Sequence, residues 1–253
     1  MPGPTSPALP RLIGHRGAMA HAPENTLAGI DMAASLGVTM VEFDAKLTGD
    51  NVPVIMHDET VDRTTDGSGA VADMDHADIA RLDAGSWFDP RFKGEPVPRL
   101  DDMLRRCRAR GLAVNIEIKP CEGRTEATAE KVIETALAEW PSDAAPPLIS
   151  SFRWDALLVA AELAPHWPRG LLIDDRPEDW EDWLGPIAPA TLNVGWRKLS
   201  DGEMADYRAT GLPVLVYTVN EADRARRLFA AGARSLITDA PDRLAPAVAA
   251  LAD

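Results

Sequence analysis

Long apolar runs are missing from this chain. None of its stretches reaches the roughly 20 residues needed to cross a bilayer, so no membrane-spanning helix is expected. Positive charge is also scarce: 26 Lys and Arg against 40 Asp and Glu leave a net charge of −14. Such a balance argues against nucleic acid or an anionic membrane surface as a partner, while leaving room for a locally positive pocket that takes a small anion. Cysteine is nearly absent. Cys107 and Cys121 lack metal-ligand spacing and fall in different expected elements, which suits a reduced, cytoplasmic protein. The N-terminal MPGPTSPALPRL has neither the charged start nor the apolar core of a signal peptide and reads as a proline-rich lead-in. No GxGxxG turn follows the first strand-like run, which disfavours a doubly wound open sheet. Internal repeats are lacking as well.

What remains is a chain of 253 residues with 45% hydrophobic content, enough for one large core spanning residues 1–253. Strand-like runs fall at about 11–17, 39–47, 52–57, 113–119, 147–152, 169–174, 190–194, 213–219 and 234–238. Helical patterns with apolar residues three and four apart lie between most of them, and several close on glycine: Gly37, Gly111, Gly211 and Gly232. Only Thr48, Gly49, Asp50 and Asn51 separate the second run from the third. A parallel crossover needs a dozen or more residues, so these two runs must form an antiparallel hairpin. The remaining eight strands, alternating with helices, describe a TIM (β/α)8 barrel. Residues 59–98 form an insertion of about 40 residues, expected over the catalytic face.

Several of these strands carry residues that a core strand should avoid. RLIGHRG ends in His15 and Arg16, TMVEFDAKL carries Glu42 and Asp44, VPVIMHD ends in His57, and AVNIEIKP carries Glu117 and Lys119. Burying such groups unpaired costs several kcal/mol, about 2–7 for a polar group and more for a charge. Residues two apart on a strand share a face, so Glu42 pairs with Asp44, and Asn115, Glu117 and Lys119 line up together. On neighbouring strands these side chains converge at the C-terminal mouth, where barrel active sites lie. Three carboxylates need a counter-charge, and an all-oxygen set suits Mg²⁺ or Ca²⁺. With Arg16 and Lys119 added, the site carries one excess positive charge, which a phosphodiester would neutralise. Two histidines supply a general acid and a general base.

These segments, in this order, resemble the glycerophosphodiester phosphodiesterase family. The resemblance rests on HRG at 15–17, PENT at 23–26, VEFDAKLT at 41–48, VIMHDETVDRTTDGSG at 54–69, IEIKP at 116–120, SSF at 150–152, VYTVN at 216–220 and ITDAP at 237–241. It extends through AGSWF and FKGEPVPRL in the insertion and covers about residues 11–245. It implies hydrolysis of glycerophosphodiesters, such as glycerophosphocholine or glycerophosphoethanolamine, to glycerol 3-phosphate and an alcohol. A cyclic phosphate intermediate is part of what it implies. Glu42, Asp44 and Glu117 would hold the metal, His15 and His57 would transfer protons, and Arg16 and Lys119 would bind phosphate. Further substrate contacts are expected from Tyr217, which replaces the tryptophan of many relatives, and from Asn193, while Trp87 and Phe88 either close over the substrate or pack the insertion. Asp58 is expected to orient a neighbour. His21 lies near enough to see the site, whereas His76 and His166 read as surface residues. Competing readings are a Schiff-base lyase using Lys119, a non-catalytic glycerophosphodiester-binding module, and a phospholipase D-type enzyme.

Overall fold

A computed structural model describes residues 8–250. Nine strands form one sheet: β1 (Leu12–Gly14), β2 (Met40–Leu47), β3 (Pro53–Ile55), β4 (Ala113–Ile118), β5 (Leu148–Ser151), β6 (Arg169–Ile173), β7 (Thr191–Gly195), β8 (Val214–Tyr217) and β9 (Ser235–Thr238). All but β3 run parallel in sequence order, and β1 pairs with both β2 and β9, which closes the barrel. The fold is a TIM barrel. As the short connection demands, β3 is antiparallel to β2, pairing Lys46 with Val54. Asn51 in that turn takes a φ of 64°, a left-handed conformation asparagine tolerates.

Alternation along β2 explains how a strand can be buried throughout and still carry charge. Val41, Phe43 and Ala45 face the helical shell and belong to the main core. Met40 faces inward, where it joins Leu9, Ile13, Leu148, Leu215 and Ile237 in an apolar plug inside the barrel. Two residues further along that face come Glu42 and then Asp44.

Full helices follow most strands: α1 (Leu27–Ser35) after β1, then, beyond the short α2 (His76–Ile79), α3 (Leu100–Ala109), α4 (Thr125–Glu139) and α5 (Trp154–Leu163). Between β6 and β7 the layer thins to a 3-10 turn at Trp180–Trp183 and a four-residue α6 (Leu184–Ile187). Gly185, Pro186 and Pro189 prevent a longer helix there. The ring ends with α7 (Asp201–Ala209), α8 (Ala222–Ala230) and α9 (Pro241–Ala249). Gly37 and Gly111 stop α1 and α3 with φ values of 80° and 68°.

The insertion has its own small core of Val61, Val71, Ile79, Ala84 and Val97, packed on Val54 and Met56 from the hairpin. Beyond its bonds to the β2–β3 hairpin, two side chains tie it to the segment around the start of α1. Glu95 Oε1 accepts from the Ala28 amide at 2.9 Å, at the start of α1, and Arg63 forks onto Glu24 with both bonds at 2.8 Å.

Candidate active site

The C-terminal mouth of the barrel opens into a cavity of about 210 Å³. One side is lined by His15, Arg16, Glu42, His57, Asn115, Glu117 and Lys119, and the other includes Phe152, Asp174, Trp196 and Tyr217. Strand register sets the charged side. Glu42 lies beside Asn115, and Asp44 beside Glu117, on β2 and β4. Glu42, Asp44 and Glu117 each present an oxygen within 4.8 Å of the others.

Arg16 leaves β1 with a φ of 49°, a conformation rare for a bulky residue. Its backbone amide donates to Glu42 Oε2 at 3.1 Å, while its Nε lies 3.2 Å from Asp44 Oδ2 and its Nη1 donates to Glu24 Oε1 at 2.7 Å. Asn25, also left-handed at φ 58°, donates from Nδ2 to Asp44 Oδ2 at 2.8 Å and accepts from the Asp44 amide at 3.2 Å. Lys119 Nζ stands 3.4 Å from Glu117 and 3.6 Å from Asp44.

Electrostatics separates the three acids. Burial, reinforced by Asp44 and Glu117, pushes Glu42 well above the usual carboxylate range. Burial and Asp44 push Glu117 up to about 7. Burial would raise Asp44 too, but Arg16, Lys119 and His57 pull it down to about 2. Added positive charge is needed to ionise all three. Glu42 Oε1 is buried without a hydrogen-bond partner among the described residues, leaving a lone pair for an ion. The donor set is all oxygen, so the residues fit Mg²⁺ or Ca²⁺.

Each cavity histidine is oriented through Nδ1. His15 Nδ1 and Asp239 Oδ1 are 2.6 Å apart, and so are His57 Nδ1 and Asp58 Oδ1. The two aspartates differ in their own support. Asn220 Nδ2 donates to Asp239 at 2.6 Å, whereas Arg63 Nε donates to Asp58 at 2.6 Å. Burial, offset in part by Asp44, lowers the His57 pKa.

Among the other expected site residues, Tyr217 lines the cavity, and its hydroxyl donates to the Ile173 carbonyl at 3.0 Å. Asn193 is fully buried inside the barrel, accepts from Thr191 and does not line the cavity. Trp87 and Phe88 pack edge-to-face within the insertion, with Phe88 against Phe92, and neither reaches the cavity. None of residues 59–98 lines it, so the insertion flanks the catalytic mouth. His21 turns away to Asp242 at 2.7 Å. His166 is exposed, and His76 sits at the start of α2. Asp58 does orient a neighbour, His57. Sequence reasoning gave no role to Glu24, Asn25, Arg63, Asp174, Trp196, Asn220 or Asp239. Five of them lie inside the quoted PENT, VIMHDETVDRTTDGSG, VYTVN and ITDAP segments, which was the available signal.

Residues 15–243 match the model of the glycerophosphoryl diester phosphodiesterase family. The chain is 34% identical to the glycerophosphodiester phosphodiesterase of Caldanaerobacter subterraneus, over 92% of this chain and 95% of that one. Its fold matches the structure of an Oleispira antarctica phosphodiesterase in complex with the product sn-glycerol-3-phosphate. That match has a TM-score of 0.91 and 36% identity, covering 96% of this chain and 98% of the other. A glycerophosphodiester phosphodiesterase from Agrobacterium tumefaciens matches at 30% identity and a TM-score of 0.73, over 94% and 100% of the two chains. No helix among the described residues is long and apolar enough to cross a membrane. Sequence, fold and the convergence of carboxylates, cations and paired histidines agree: this chain belongs to the glycerophosphoryl diester phosphodiesterase family.

Proposed function

We propose that the chain hydrolyses glycerophosphodiesters, such as glycerophosphocholine and glycerophosphoethanolamine, to glycerol 3-phosphate and the free alcohol. The observation that carries this reading is the pair of imidazoles, each anchored through Nδ1 to an aspartate at 2.6 Å on the rim of an acid-and-cation cavity. With Nδ1–H donated to a carboxylate, Nε2 is left to exchange a proton with substrate. Arg16 and Lys119 offset phosphate charge. Glu42, Asp44 and Glu117 would hold a Mg²⁺ or Ca²⁺ ion, which would supply Lewis-acid stabilisation of negative charge when bound.

One histidine removes the proton of the glycerol hydroxyl next to the ester, and that oxygen attacks phosphorus. The P–O bond to the alcohol breaks, and the leaving oxygen takes a proton from the second histidine. Water then opens the resulting cyclic phosphate with the two proton-transfer roles exchanged. The test is a coupled assay for glycerol 3-phosphate with glycerophosphocholine. EDTA should abolish turnover and added Mg²⁺ or Ca²⁺ should restore it; activity surviving exhaustive chelation would exclude the metal. His15→Ala and His57→Ala should each lower kcat by about 100-fold or more. Wild-type turnover in either would exclude the proton-transfer assignment.

A further inference from the structure

The cavity has two unlike sides. Opposite the carboxylates and histidines, the loops that follow β5, β6 and β7 and the end of β8 bring together Phe152, Asp174, Trp196 and Tyr217. Both polar tips among these aromatics are committed. Trp196 Nε1 donates to the Thr218 carbonyl at 2.7 Å, and the Tyr217 hydroxyl donates to Ile173. The carboxylate of Asp174 accepts no hydrogen bond and makes no ion pair among the described residues. Gly195 makes room for it, since a Cβ added at 195 would lie 2.5 Å from Asp174 Oδ1.

An aromatic box with a carboxylate suits two kinds of ligand: an organic ammonium held over ring faces, or a neutral polyol whose hydroxyls donate to the carboxylate. The ring faces decide between them. Lys119 Nζ already lies 5.9 Å from the Phe152 centroid. The Arg224 guanidinium lies 3.6 Å from the Trp196 centroid, and Arg197 lies 5.9 Å from it. A ligand ammonium would meet three protein cations where it needs bare π faces. A polyol carries no charge to repel. It offers its terminal O–H to Asp174 and C–H groups to the rings, while the hydroxyl next to the ester faces the histidines.

We infer that Asp174 is a specificity residue that accepts a hydrogen bond from the terminal hydroxyl of the substrate's glycerol moiety. The glycerol then occupies the aromatic side, and the leaving alcohol faces out of the mouth. This deepens the phosphodiesterase reading and rests on it. It also favours diesters whose terminal glycerol oxygen is free, because an acyl group there removes the donor that Asp174 would accept from.

Calorimetric titration of the wild type, Asp174→Ala and Gly195→Ala with sn-glycerol 3-phosphate and with ethyl phosphate tests this. Both variants should bind glycerol 3-phosphate about 10- to 100-fold more weakly and ethyl phosphate as the wild type does. Equal weakening for both ligands, or none for glycerol 3-phosphate, would overturn the assignment. Turnover is read separately. With Asp174→Ala, KM for glycerophosphocholine should rise while KM for the phosphocholine ester of propane-1,2-diol, which keeps the attacking hydroxyl and lacks the terminal one, stays constant. A wild type unable to hydrolyse glycerophosphocholine would reject the phosphodiesterase reading, while the binding pair would still decide the role of Asp174.

Discussion

Asp58 and Asp239 make the same 2.6 Å contact with a histidine and are held by opposite means. Arg63 offsets the charge of Asp58 and pulls its pKa well down, whereas Asp239 is held by the neutral amide of Asn220. Asp239 therefore has more negative charge to offer a protonated imidazole. Asp239→Asn should lower kcat more than Asp58→Asn, by about tenfold, a fraction of the roughly 10⁴-fold loss that removing such a carboxylate can cause. Steady-state kinetics on both variants decide it, and equal losses would mean Arg63 does not screen Asp58. Legibility at this scale follows sequence distance. His15, His57 and the three carboxylates stood out because each breaks the apolar rule of its own strand. The partner of His15 lies 224 residues away, and Glu24 and Arg63 are 39 apart. Each of these looks like ordinary loop polarity until the chain folds. Trp87 and Phe88 left two readings open, because aromatics in a long loop can close over a substrate or fill the loop's own interior, and here they pack within the loop.

Among the elements, the hairpin was readable because loop length alone forbids a parallel crossover, and the helices because their periodicity is strong. The β6–β7 connection departs from the repeat through backbone chemistry, with two prolines and a glycine in the space of one helix. The position of the insertion was not readable, since it depends on bonds to Glu24 and Ala28 made outside the segment. Its most tightly enclosed glycine is Gly85. A methyl group there would lie 1.9 Å from the Phe92 carbonyl oxygen and 2.8 Å from Glu95 Cβ. Gly85→Ala should destabilise the insertion by about 1–3 kcal/mol. Limited proteolysis should then cut within residues 84–96 while the barrel stays intact. A digestion pattern like that of the wild type would show that the loop absorbs the methyl by shifting.

For the whole molecule, the acid cluster couples folding to pH and to metal. Without an ion, Glu117 titrates near 7 in the folded chain, above its ordinary 4.5, and Glu42 is raised as well. A raised carboxyl stabilises the fold at low pH and loses that contribution as pH rises through its folded pKa. Asp44 works the other way, but its contribution fades only as pH falls toward 2. The melting temperature in EDTA should therefore drop between about pH 5 and 8. Mg²⁺ or Ca²⁺ should flatten or reverse that slope, because the ion binds the ionised forms. Scanning fluorimetry across that range checks it; parallel slopes with and without metal would separate the ion from these three acids.

The insertion is riveted to the barrel by Arg63 and Glu95, and none of its residues lines the cavity. Nothing in it has to swing aside for a substrate to enter. Asp174 and Phe152 stand exposed at the doorway, so solvent enters along with the ligand. A doorway without a shutter cannot keep a reactive phosphate away from water, and water far outnumbers any competing alcohol. Hydrolysis, and not transfer of phosphate between alcohols, is the outcome this architecture favours.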